Sequence, residues 1–144
     1  MKISARNVFE GKITALVDGK VNAEVEITTA GGDRIVAVVT EGSVQSLGLA
    51  LGKPAMAFVK APWVMVLVGD DAAGVKFSAR NQLAGTVESL TKGAVNSEIG
   101  IRLSGGTVVY AVITNEAVLE LGLKPGAPAS ALIKASHVVI GVPA

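Results

Sequence analysis

Eight polar residues of this 144-residue chain occur twice, each as the same residue type 74 positions later. They are Lys2/Lys76, Ser4/Ser78, Arg6/Arg80, Asn7/Asn81, Asn22/Asn96, Glu24/Glu98, Thr40/Thr114 and Lys60/Lys134. The set holds three cations and one anion per copy, although the whole chain carries a net charge of only +1. Its remaining members are hydroxyls and amides. Such a set is rich in hydrogen-bond donors, which suits an oxyanion and not a metal cation. Glu24/Glu98 is the one repeated carboxylate, and the single His137 aligns with Trp63, so no repeated calcium or zinc ligand set is present.

Each of these residues also has a purely structural reading. Ser4 and Asn7 suit turns, and Arg6 could pair with Glu24 on the same unit. Lys60 could be a solvated strand end, although it sits in an otherwise apolar run in both copies. Thr40 reads first as a helix N-cap. Asn22 reads as a strand or turn residue. If subunits met there, its amides could ring a shared ligand. Catalysis has little support: no carboxylate pair is repeated, and there is no Ser/His/Asp set, P-loop or dinucleotide fingerprint. The chain reads as a binding protein and not an enzyme.

The elements that must position these residues follow from the duplication, which runs without a gap to the end of the chain. About two in five aligned positions are identical, marking a true internal repeat. The expected units are 1–69 and 76–144, with 70–75 as linker. In the first unit a short strand is expected through Ile3, then one from Val8 to Val17. The Asp18-Gly19 turn leads into Val21–Thr28, whose apolar and polar residues alternate as in a half-buried strand. Gly31-Gly32-Asp33 turns the chain into the β-branched run Ile35–Val39. Thr40, Val44, Leu47 and Gly48 mark a short capped helix. Strands are then expected over Ala55–Lys60 and Trp63–Val68. The fold class is therefore mostly all-β: two tandem five-stranded barrels of the OB type, each with one short helix. The opening or closing strand of a unit could pair with a neighbouring unit.

Composition narrows the function classes. Half of the residues are apolar and 17% are charged, which suits a subunit that hides surface in an oligomer. There is no basic tail or block, and aromatics make up 3%, too few to stack nucleic-acid bases. The chain contains no cysteine, which excludes disulfides and thiolate chemistry. The longest apolar run, Ala55–Val68, is too short to span a bilayer and contains Lys60 and Pro62. A cytoplasmic protein with neither nucleic-acid nor membrane partners is expected.

Several phrases recur in order in both copies: Ser-Ala-Arg-Asn, Gly-x-Val-Asn-x-Glu, Ala-Val-x-Thr, Leu-Gly-Leu, and Lys-Ala-Pro-Trp-Val or Lys-Ala-Ser-His-Val. On these phrases nearly the whole chain resembles the Mop domain family of molybdate-binding proteins, in its tandem form. The resemblance implies OB-like units, a homotrimer, no cofactor, and molybdate, with tungstate as analogue, bound between units for storage or homeostasis. It implies an oxyanion site of Ser4, Arg6, Asn7, Lys60, Ala61 and Pro62, with Thr40 nearby. Its twin would use Ser78, Arg80, Asn81, Lys134, Ala135 and Ser136, with Thr114. Pro62 has no N–H to donate whereas Ser136 does, so the two should differ in affinity. A second kind of site near a threefold axis is implied at Val21, Asn22, Ala23, Val95, Asn96 and Ser97. The Lys-Ala phrase is expected to come from a unit adjacent to the one supplying Ser-Ala-Arg-Asn. The alternative is an oxyanion-sensing module that docks on a transporter or regulator.

Overall fold

A computed structural model of the chain describes residues 1–69 and 74–144. Residues 70–73 of the expected linker lie outside the described residues. The first repeat supplies β1 (Asn7–Asp18), β2 (Asn22–Thr29), β3 (Arg34–Thr40), helix α1 (Glu41–Leu47), β4 (Pro54–Val59) and β5 (Met65–Leu67). The second supplies β6 (Asn81–Lys92), β7 (Asn96–Leu103), β8 (Val108–Thr114), α2 (Asn115–Leu121), β9 (Pro128–Ile133) and β10 (Val139–Gly141). A one-turn 3-10 helix precedes the last strand of each repeat, over Ala61–Trp63 and Ala135–His137.

Two expectations shift. No strand forms at Ile3, which is exposed and unpaired with any described strand; the first strand starts at Asn7. Trp63 lies in the 3-10 turn and not in the last strand. Pro62 sits at the start of that turn, and the Trp63 N–H closes it by donating to the Lys60 carbonyl at 3.0 Å.

Each repeat builds a five-stranded antiparallel sheet, but neither closes its own. The orders are β10-β4-β1-β2-β3 and β5-β9-β6-β7-β8. The closing strands are exchanged: Ile140 of the second repeat pairs with Ala57, and Val66 of the first pairs with Ala131. The apolar run through β4 and β9 follows, because each is a central strand of its sheet. One extra residue in β1 (between Ile13 and Ala15) and in β6 (between Val87 and Ser89) shifts the register and curls both sheets.

The alternating residues of β2 and β3 put Val25, Ile27, Ile35 and Ala37 inward, as do Ile99, Ile101, Val109 and Ala111 in the second repeat. All join one core that spans both repeats. Each fully buried Val or Ile side chain contributes about 1.5–3 kcal/mol.

The Gly-Gly pairs are the hairpin turns expected of them, and they also meet. A Cβ on Gly31 would lie 2.0 Å from the Gly105 carbonyl oxygen. Gly32 and Gly106 take φ of +93° and +92°, the left-handed region open to glycine. Beside them the buried Asp33 carboxylate accepts N–H bonds from Gly105 at 2.9 Å and Thr107 at 3.1 Å. The repeats are thus joined at their turn tips as well as by exchanged strands.

Candidate oxyanion site

Strand register decides which of the repeated polar residues meet. Asn7 pairs with Val59 at the end of the β1–β4 ladder, so Arg6 and Lys60 are the next residues outward on the two strands. In the second repeat Asn81 pairs with Ile133, which places Arg80 and Lys134 in the same relation. The Ser-Ala-Arg-Asn and Lys-Ala phrases therefore converge within one repeat. β1 and β4, 36 residues apart or more, are neighbours in a single sheet, so the backbones at Arg6 and Lys60 lie side by side within one chain. Ser4 and Lys60 line a cleft of about 250 Å³, floored by Phe58 and walled by Trp63 and His137. The Trp63 and His137 rings, equivalent positions in the two repeats, pack with centroids 5.0 Å apart.

The other repeat supplies the opposite wall of each phrase. Arg6 does not pair with Glu24 of its own repeat. Its Nε and one Nη donate to the two carboxylate oxygens of Glu98, both at 3.3 Å. Arg80 donates in turn to Glu24 at 2.5 Å. The Arg6 guanidinium also lies 3.6 Å from the centre of the Tyr110 ring, a cation–π contact. Hydrogen bonding to Glu98 raises the Arg6 pKa above its ordinary value, against a smaller opposing desolvation. Val36 holds the place equivalent to Tyr110 in the first repeat, so the two arginines are held differently.

Asn7 and Asn81 are not free to face a ligand with their side chains. Both are 2% exposed. The Asn7 amide donates to the Tyr110 carbonyl at 2.8 Å and accepts from the Tyr110 N–H at 2.7 Å. Asn81 does the same with Val36, at 2.8 and 2.7 Å, and donates further to the Ile133 carbonyl at 3.2 Å. Each amide caps the edge strand of the other repeat's sheet, β8 or β3.

Thr40 is the N-cap of α1: its hydroxyl accepts from the Ser43 N–H at 3.1 Å and shares a 2.8 Å bond with the Ser43 hydroxyl. Thr114 caps α2 through the Ala117 N–H at 3.1 Å. Thr40 lies with Asn22, Ser43 and Ser136 along a cleft of about 330 Å³. It therefore accompanies the second phrase and not the first, because the Ala135–His137 turn packs on β3. By the same exchange β8, which ends at Thr114, packs on the Ala61–Trp63 turn that carries Pro62. Ala61 and Ala135 are buried beneath those turns, whereas Pro62 and Ser136 are exposed. Ser43 was missed by sequence reasoning, which weighed only residues identical in both copies; its equivalent is Ala117. The only signal was its position three residues after an N-cap.

The β1–β2 and β6–β7 turns expected near a threefold axis expose Val21, Asn22, Val95 and Asn96 and bury Ala23 and Ser97. The Val21 and Val95 carbonyls accept from the first N–H of α1 and α2. The Ser97 hydroxyl donates to the Asn115 side chain at 2.5 Å, and Asn115 donates to the Gly93 carbonyl at 2.9 Å. Ser97 is thus engaged within its own chain. In the first repeat Ala23 and Glu41 replace this pair, and Glu41 Oε2 is buried without a partner. Its carboxyl is pushed above the ordinary value by desolvation and then by Asp18. Among the described residues there is no cluster of three or more His, Cys, Asp or Glu able to hold a metal, and no helix is long and apolar enough to cross a membrane.

The cleft beside the first phrase offers Ser4 and Lys60, the cleft beside the second turn offers Thr40, Ser43 and Ser136, and each arginine carries a carboxylate from the other repeat. The arrangement can bind and orient an oxyanion.

Comparison with known proteins bears on which family builds such a pair. The family model for the TOBE domain matches residues 3–66 and again 78–140. The crystal structure of the cytoplasmic molybdate-binding protein ModG, in a form with molybdate bound, superposes with a TM-score of 0.93 at 57% identity, covering 99% of this chain and 100% of that one. The molybdenum-pterin-binding protein MopA of Rhodobacter capsulatus is 43% identical over 143 residues, covering 99% of this chain and 53% of MopA. The molybdenum transport protein ModE of Herbaspirillum seropedicae is 41% identical over 142 residues, covering 99% of this chain and 52% of ModE. The chain spans about half the length of these two curated relatives. The chain belongs to the TOBE domain family, as two tandem TOBE/Mop units.

Proposed function

We propose that the chain binds molybdate, with tungstate as a near-equivalent, for molybdenum storage and homeostasis in the cytoplasm, without catalysis. The observation that carries this reading is the convergence of Arg6 with Lys60, and of Arg80 with Lys134, on adjacent strand ends. Ser4 lies beside Lys60 and Ser136 beside Thr40. A tetrahedral dianion presents four acceptor oxygens. Removing it from water is costly unless nearly all of them are bonded, and two cations with several hydroxyl and backbone donors meet that need. Similarity to ModG, described as molybdate-binding and cytoplasmic, supports the ligand and the compartment.

The residues assigned to the two sites are Ser4, Arg6, Lys60, Ala61 and Pro62, and Ser78, Arg80, Lys134, Ala135 and Ser136. Asn7 and Asn81 position them, and Thr40 and Ser43 face the second set. The repeats 1–69 and 76–144 act as one unit of a homotrimer. Exposed Ile3, Trp63, Met65 and Val139 supply apolar surface for that contact. The tips around Asn22 and Asn96 form a further anion site where subunits meet.

The test is elemental analysis and native mass of the protein loaded with molybdate. More than one molybdenum per chain in a trimer is expected. Arg6→Ala and Arg80→Ala should each remove a share of the anion while the assembly persists. Unchanged molybdenum in the double variant refutes the assignment.

A second reading is favoured by the half-length coverage of the curated relatives. Here the pair is an oxyanion-sensing module that docks on a transporter or regulator. Capture of a partner only by the molybdate-loaded protein would favour it.

A further inference from the structure

Glu24 and Glu98 are the one repeated carboxylate, and a binding site for anions has no evident use for them. Both nevertheless bond the two arginines assigned to it. Glu98 takes the Nε and Nη donors of Arg6 together, each at 3.3 Å. That edge of a guanidinium is the one a tetrahedral oxyanion engages through two parallel bonds. Tyr110 covers a face of the same guanidinium at 3.6 Å, which leaves the edge as its main polar outlet. Glu24 engages Arg80 from the other repeat more simply, through a single Nη contact at 2.5 Å.

Both pairs are accessible. The side chains of Arg6 and Glu98 are 49% and 34% exposed, and those of Arg80 and Glu24 are 56% and 36% exposed. Exposed ion pairs of this kind are weak, and the carboxylate can be rehydrated once displaced. Charge bookkeeping points the same way. Arg6 and Lys60 with Glu98 carry one net positive charge, and adding a dianion leaves one net negative. With Glu98 displaced or neutral, the dianion is balanced.

Resting on the function proposed above, we propose that Glu98 and Glu24 are built-in competitors. In the empty state Glu98 occupies the Nε/Nη edge of Arg6 and Glu24 occupies one Nη of Arg80; each holds oxyanion affinity down and is displaced into solvent when a dianion binds. The device tunes the site for release as well as capture, and it selects for anions of double charge. Because each pair crosses between repeats, loading one site also unties one link between them.

The test is titration of the full chain with sodium molybdate in a calorimeter at fixed ionic strength. Wild type is compared with Glu98→Gln, Glu24→Gln and the double variant. Gln keeps an acceptor oxygen for the arginine and removes the charge. Each single variant should bind about half of its anions more tightly by about tenfold, and the double variant all of them; tenfold equals about 1.4 kcal/mol. Heat-unfolding midpoints near wild type confirm that the variants are folded. Affinity that is unchanged or weaker in the double variant, with wild type binding normally, overturns the competitor role alone. It would mark the glutamates as supports that hold the arginines in place. No binding by wild type or any variant overturns the function proposed above and this inference with it.

Discussion

Replacing Asn81 by alanine tests whether this residue serves the fold or the ligand. The side chain is 2% exposed and makes three hydrogen bonds, two to Val36 and one to Ile133. Alanine removes all three and leaves the Val36 N–H and C=O on edge strand β3 without partners. A typical hydrogen bond contributes about 0.5–1.5 kcal/mol net, and a buried group left unsatisfied costs about 1–3 kcal/mol. Water can reach part of an edge strand, so the expected loss is about 3 kcal/mol and not the sum of the maxima. For a chain of this size each kcal/mol moves the unfolding midpoint by about 2–4 °C, which predicts a fall of roughly 10 °C. Urea unfolding for the free-energy loss and heat unfolding for the midpoint, both followed by circular dichroism at one fixed protein concentration so that assembly contributes equally, measure the two quantities. The folded variant should still bind anion, since Arg80 and Lys134 are intact. A loss below about 0.5 kcal/mol, the range of ordinary surface substitutions, would refute the claim that Asn81 stitches the repeats. Full stability with lost anion binding would return Asn81 to the ligand set.

Two further substitutions probe the turn tips and the buried end of α1. Gly31→Ala drives a methyl to 2.0 Å from the Gly105 carbonyl oxygen and should cost about 2 kcal/mol or more by forcing the turn tips apart, read in the same urea assay. Glu41 has a pKa raised above 4.5, so the folded state binds its proton more tightly than the unfolded state. Its unfavourable contribution is therefore absent below about 4.5, where both states are protonated, and is fully imposed above the raised value. Glu41→Gln should flatten the fall in stability with rising pH across that window and stabilise the protein at neutral pH. A variant with the same pH profile as wild type would count against that environment.

Much of the fold was legible because alternation in Val21–Thr28, the β-branched Ile35–Val39 and the Thr40…Gly48 caps are local signals read by local physics. The exchange of closing strands was legible only as one of two possibilities, pairing with a neighbouring unit or within the same one. Met65–Leu67 and Val139–Gly141 are short apolar strands that satisfy either sheet equally, and only the three-dimensional course of the chain decides between them. The same limit governs the site. The duplication picked out Arg6, Glu24 and their copies, but pairing within a repeat and pairing across repeats look identical when both copies carry both residues. Asn7 was read as a ligand because a repeated amide serves a ligand or an edge strand equally well; burial separates the two. Ser43 escaped because its copy is Ala117, and a comparison of copies detects only what both retain.

The exchanged strands carry a consequence for how such a chain could arise. A lone repeat would leave its central strand, β4 or β9, with one side unpaired and its own last strand with no partner. Two separate copies could satisfy each other by trading those strands, at the cost of depending on their concentration. Joining them end to end turns that bimolecular trade into an intramolecular one, set by the length of the connection and no longer by dilution. The tandem chain then has the shape of a swapped dimer sealed by a covalent link. Once sealed, its halves are released from strict identity. Tyr110 opposite Val36, Ser43 opposite Ala117 and Ser136 opposite Pro62 are differences that two identical copies could never have carried.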